Sequence, residues 1–190
     1  MAQPTEILRK EHDAISRMLD AADRAGDRLQ RKQPIRPELL EGMAEFFELF
    51  LDKCHHGKEE ELFFPALAKK GMPVEGGPIG VMLGEHTQGR TLAGQMKQLA
   101  ARYKSGDADA GVAWAAAARQ YADLLREHIL KENTVLFPMA EGLLSPSEGE
   151  ALAEKFEQLE EEKMGRGTHE RLHARMAEIL KEVTAATAAG

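Results

Sequence analysis

The sequence predicts an all-α fold, an up-down-up-down four-helix bundle with two additional C-terminal helices. Apolar residues recur at three-, four- and seven-residue steps over long stretches, the period of one helix face. Glycine and proline fall mostly between those stretches. Alanine, leucine, glutamate, lysine and arginine dominate elsewhere, a balance that favours helices. The 190 residues, 43% hydrophobic and 30% charged, suffice for a well-buried core and exclude a disordered chain.

The first helix is expected from about Thr5, its N-cap, to Gln30, with Leu8, Ile15, Leu19 and Ala22 on one face. The run Gln33-Pro-Ile-Arg-Pro37 breaks the chain. A second helix carries Leu40, Ala44, Phe47 and Leu51 towards Leu67, with Pro65 expected to bend or end it. A glycine- and proline-rich loop, residues 71–78, leads to a third helix bearing Met82, Ala93, Met96 and Tyr103. Beyond the turn at 105–109, a fourth helix carries Trp114, Tyr121, Leu124 and Leu125 to about Met139. Residues 1–144 are thus expected to form the bundle. Residues 145–190 are expected to add two helices, Ser147–Met164 and one after Gly165-Arg-Gly167, packing on the bundle or on a partner subunit.

Bulk chemistry narrows the function. A net charge of −7 argues against nucleic acid as a partner, since no basic excess is available to neutralise phosphates. No apolar run approaches membrane-spanning length, and the first residues lack the apolar stretch of a secretory signal. The single cysteine, Cys54, cannot form an intramolecular disulfide, which fits a reducing compartment. A cytoplasmic monomer or homodimer is expected.

The informative anomaly is where the histidines fall. His12 lies four after Leu8, His55 four after Leu51, His86 four after Met82 and His128 four after Leu124. Each core helix therefore points one histidine inward. Glu59 and Glu132 follow His55 and His128 by four, so each pair can present a nitrogen and an oxygen to one point. Two buried carboxylates without compensating charge would cost several kcal/mol or more each, a cost that a cation removes. Imidazole with carboxylate suits iron and manganese, and zinc to a lesser degree.

The two paired segments align without gaps: His55-His-Gly-Lys-Glu59-Glu-Glu-Leu-Phe-Phe-Pro65 on His128-Ile-Leu-Lys-Glu132-Asn-Thr-Val-Leu-Phe-Pro138. This repeat selects His55 and Glu59 over the equally spaced His56 and Glu60. At roughly 100° per residue His56 should point away from the Leu51 stripe, so His56 and Glu60 are expected at the surface. Lys58 and Lys131 recur in the repeat without an evident role. Cys54 reads as a buried structural thiol, Phe63, Phe64, Phe137 and Trp114 as core, and His169 and His173 as a solvent-tipped helix face.

These motifs resemble the hemerythrin-like family, the HHE cation-binding domains. The resemblance rests on Glu11-His12-Asp13, on His55…Glu59 with Leu-Phe-Phe-Pro65, on Glu85-His86 and on His128…Glu132 with Leu-Phe-Pro138. It covers about residues 5–142. It implies a four-helix bundle around two iron ions with an oxo or hydroxo bridge, with zinc or manganese as substitutes. His12 and His55 would bind one iron, His86 and His128 the other, and Glu59 and Glu132 would bridge. Oxygen-carrying members have a further histidine where this chain has Arg90, and a cation cannot ligate iron. The expected partner is therefore a small diatomic ligand (O2 or NO) or peroxide, in sensing, detoxification or redox chemistry rather than oxygen carriage. Two alternatives stand beside it: iron storage, donation or iron-sulfur repair, whose members usually carry an extra cysteine-bearing module, and a metal-dependent regulatory module. Nothing in the sequence specifies an organic substrate pocket.

Overall fold

A computed structural model describes residues 3–185, and these form six helices. They are α1, Pro4–Gln30; α2, 37–69; α3, Pro78–Lys104; α4, 108–143; α5, Pro146–Met164; and α6, Thr168–Ala185. Their ends carry recognisable stop and start chemistry. Pro4 occupies the first turn of α1, and Gln3 and Glu6 satisfy each other's backbone N–H groups. Gln3 is thus the N-cap, and Thr5, expected in that role, is buried inside the first turn. Asp107 caps α4 by accepting from the Ala110 N–H, and Ser145 and Glu148 form a capping box on α5. Gly165 and Gly167, at φ 77° and 78°, make the left-handed turn into α6, a conformation that favours glycine.

Three stretches are wound more loosely, as π-helix: Phe47–His56, Glu59–Phe63 and Glu132–Leu136. The last two each lead into a proline. Neither Pro65 nor Pro138 can donate to the carbonyl four residues back. The wider turn before each takes up that misfit: the Phe64 N–H reaches the Glu59 carbonyl and the Phe137 N–H that of Glu132. Helix α2 therefore continues past Pro65 to Lys69 instead of ending there.

Helix α4 packs between α1 and α3, and α3 packs on α2. The last two helices cover one side: α5 lies on α1 and the loosely wound part of α2, and α6 on α1 and the start of α2. Gly111 permits the close approach of α3 and α4, since a Cβ there would sit 2.9 Å from the Tyr103 ring. The Tyr103 hydroxyl in turn accepts from the Ile35 N–H and donates to its carbonyl, fixing the link into α2.

Two apolar clusters fill the interior. The larger runs from Ile15 and Leu51 through Leu92, Trp114 and Leu125 to Ile179. The smaller holds Leu8, Phe63, Leu67, Met82, Leu136, Phe137 and Phe156. Along each core helix the inward histidine falls where one cluster gives way to the other: His12 between Leu8 and Ile15, His55 between Leu51 and Phe63, His86 between Met82 and Leu92, His128 between Leu125 and Leu136. No helix among the described residues is long and apolar enough to cross a membrane.

Candidate metal centre

His12, His55, Glu59, His86, His128 and Glu132 lie together between the two apolar clusters, and none is more than 2% exposed. The histidines form two pairs. His12 and His55 bring their Nε2 atoms to 3.2 Å, and His86 and His128 do the same, also at 3.2 Å. The carboxylates stand between the pairs. Glu132 Oε2 is 3.1 Å from His12 Nε2 and 3.4 Å from His128 Nε2. Glu59 Oε2 is 3.4 Å from His86 Nε2 and 3.8 Å from His55 Nε2. Four-residue spacing on a helix supplies one histidine and one glutamate per repeat; the facing helix supplies the other histidine.

Every one of these four imidazoles is held from behind. His12 Nδ1 donates to Asn133 Oδ1 at 3.0 Å, and His55 Nδ1 to Glu11 Oε2 at 2.8 Å. His86 Nδ1 donates to Glu60 Oε1 at 2.7 Å, and His128 Nδ1 to Glu85 Oε2 at 2.9 Å. An acceptor at Nδ1 places the proton there and turns the Nε2 lone pair towards the centre, the arrangement that orients metal-binding histidines. The repeat explains the pattern. Glu60 and Asn133 occupy equivalent positions, and so do Lys58 and Lys131, which pair with Glu11 and Glu85. The two lysines thus neutralise the carboxylates that hold His55 and His128.

The electrostatics call for a cation. None of the four oxygens of Glu59 and Glu132 makes a hydrogen bond, although both side chains are wholly buried. Burial and the adjacent Glu132 carboxylate push the Glu59 carboxyl well above the ordinary range. Burial also acts on Glu132, but His128 and His12 outweigh it and hold that group low. Burial first, with the neighbouring imidazoles, keeps His55, His56 and His86 below the usual histidine value, in the neutral form that ligates metals. Neutral nitrogens around orphaned carboxylates fit iron in a mixed nitrogen and oxygen shell. Three groups among the described residues are close enough to hold an ion: His12, His55, Glu59 and Glu132; His56, Glu59, His86 and His128; and Glu11, Cys54 and Glu160, where the Lys58 ammonium already pairs with both carboxylates.

His56 overturns an expectation. It is 2% exposed, not at the surface, and its ring stacks on His86 at 3.7 Å between centroids. The 100° projection fails because Phe47–His56 is π-wound, so each residue turns the helix through a smaller angle. Glu60 is half-buried rather than free at the surface, shared between His86 and Arg90. Arg90 also donates to Asp52 at 2.7 Å, so its charge is engaged by the two carboxylates that face His86 and His56. His169 and His173 lie half-buried against Phe50 and join none of the three donor groups. Cys54 is buried, and burial pushes its thiol up to about 12, far from a reactive thiolate.

The sequence model of the hemerythrin HHE cation binding domain matches residues 3–140. Uncharacterized protein Mb2018 of Mycobacterium bovis is 25% identical over 178 residues, which cover 94% of this chain and 69% of that protein. Iron-sulfur cluster repair protein YtfE of Enterobacter sp. is 30% identical over 140 residues, 70% of this chain and 63% of the relative. Its namesake in Escherichia coli O1:K1 is 29% identical over the same shares, so the match spans just under two thirds of these repair proteins. With the matched region holding both histidine pairs and both buried carboxylates, the chain belongs to the hemerythrin HHE cation-binding domain family.

Proposed function

We propose that the chain holds an oxo- or hydroxo-bridged pair of iron ions and uses it to bind or react with O2, NO or peroxide. The observation that carries this reading is the placement of Glu59 and Glu132, each facing one histidine from either pair with no other partner for its charge. In this reading His12 and His55 hold one ion, His86 and His128 the other, and the two glutamates bridge. Zinc or manganese would fit the same donors. Bound irons would supply ligand binding and one-electron chemistry. The chain supplies the rest: Glu11, Glu60, Glu85 and Asn133 orient the imidazoles, and the Phe137 ring, stacked on His12 at 5.4 Å, helps exclude water.

The reading includes an up-down-up-down bundle over residues 1–144, an extension over 145–190 and a cytoplasmic monomer or homodimer. Metal analysis of protein purified without added metal, combined with its optical spectrum, tests it. Two irons per chain with oxo-bridge charge-transfer bands are expected; one zinc and no colour would sink it. Exposing the reduced protein to O2, NO and peroxide in turn then identifies the ligand. The likeness to the repair proteins favours a second reading, iron donation to a damaged cluster. That reading requires iron that leaves readily for an acceptor protein, whereas a ligand-binding centre keeps its iron through the same incubation.

A further inference from the structure

The repeat makes the two halves of the centre alike in outline; besides Glu60 opposite Asn133 and Phe63 opposite Leu136, they differ where His56 stands opposite Ile129. His56 lies within reach of Glu59, His86 and His128, so this half has three imidazoles against two in the other. It differs from the other four histidines in how it is held. Their Nδ1 atoms are each locked by an acceptor, whereas His56 Nδ1 is buried and without a hydrogen bond, its nearest carboxylate oxygen on Asp52 lying 3.5 Å away. Asp52 is shared, and its much shorter contact, 2.7 Å, goes to Arg90. One face of the imidazole lies on His86, and the ring also borders a cleft of about 250 Å³ between α2 and α3, with Tyr121 and Gly89 in its walls.

We infer that His56 is a fifth, exchangeable nitrogen donor for the ion held by His86 and His128. Stacked rings direct their in-plane lone pairs side by side, so shared ligation requires the His56 ring to turn. Its unlocked Nδ1 and the adjoining cleft allow that turn. The imidazole then fills a coordination position on one ion only, and an incoming ligand can displace it without disturbing the four locked histidines. The other ion has no such donor, because Ile129 offers no ligand atom.

This inference rests on the two-metal reading, and cobalt(II) titration of the metal-free protein separates their failures. Wild-type protein is expected to take two ions. His56→Phe keeps a flat ring in the stack but removes the nitrogen, and should weaken one of the two sites by about tenfold or more while leaving the other unchanged. His56→Gly should lose the same site and regain it, with the cobalt spectrum of wild type, when free imidazole is added to occupy the vacated space. Thermal melting of the metal-free variants checks that they fold. Two wild-type affinities in folded His56→Phe, or equal weakening of both sites, would overturn the fifth donor while the two-metal reading stood. Fewer than two ions in wild type would overturn both.

Discussion

At the scale of single residues, Glu59 carries opposed demands in the metal-free and loaded states. Without a cation it is a buried carboxylate with no hydrogen-bond donor, next to a second one. Glu59→Gln removes the carboxyl whose ionisation burial and Glu132 oppose, so the metal-free variant should be more stable than wild type by about 1 kcal/mol or more. The same change should weaken metal binding sharply, and calorimetric melting with and without iron reads both signs in one series. An increase in loaded stability would show that Glu59 serves packing alone. Behind the ligands, Glu11→Gln and Glu85→Gln should each lower metal affinity by about 10–100-fold through the freed His55 and His128 rings. Chelator competition measures both. The clustering of His12, His55, Glu59, His86, His128 and Glu132 was legible because helical periodicity and the repeat fall on the same residues. Glu11 and Glu85 were legible only as neighbours of His12 and His86; their partners Lys58 and Lys131 recur in the sequence, but the pairing crosses between helices and no local spacing encodes it.

At the scale of elements, loosely wound helix and the C-terminal extension shape the centre. The positions of His12, His86 and His128 follow from ordinary helical phase, whereas His56 does not, because Phe47–His56 departs from the α-helical step. Pro65 signalled a break from its chemistry alone, whereas the wide turn before it, like that before Pro138, lets the helix run on. Helix α5 adds an asymmetry of its own. Glu160 accepts from Lys58 at 2.6 Å, a second carboxylate for a lysine that is 1% exposed, while Lys131 in the other half is 38% exposed and, among the described residues, pairs with Glu85 alone. Lys58→Met strands two carboxylates beneath α5, and Lys131→Met leaves one near water. Equilibrium denaturation should therefore find Lys58→Met the costlier change, by about 1–3 kcal/mol. Equal costs would mean that α5 does not seal this half of the site.

At the scale of the whole molecule, the polar layer makes stability depend on pH. His55, His56 and His86 stay neutral in the folded, metal-free chain, with burial the first cause, but regain ordinary affinity for protons on unfolding. The unfolded chain therefore binds more protons below the ordinary histidine value of 6.5, and stability falls as pH drops through it. Asp52, Glu60 and Glu85 act in the same direction at lower pH, because their partners hold them down against burial. Glu59, raised by burial and Glu132, opposes the trend as a single group. Urea unfolding of metal-free protein at pH 8 and pH 5.5 should show the loss; a flat profile would contradict the neutral assignments. The six-helix outline was legible because its boundaries are written in proline, glycine and capping residues, while the placement of α5 and α6 on α1 and α2 depends on long-range packing. The central claim is that two ions share Glu59 and Glu132. Anomalous diffraction at the iron edge from iron-loaded crystals tests it most directly. The prediction is two peaks, one beside His12 and His55 and one beside His86 and His128, both touching both glutamates. A single peak, or iron bound only at surface carboxylates, would contradict it.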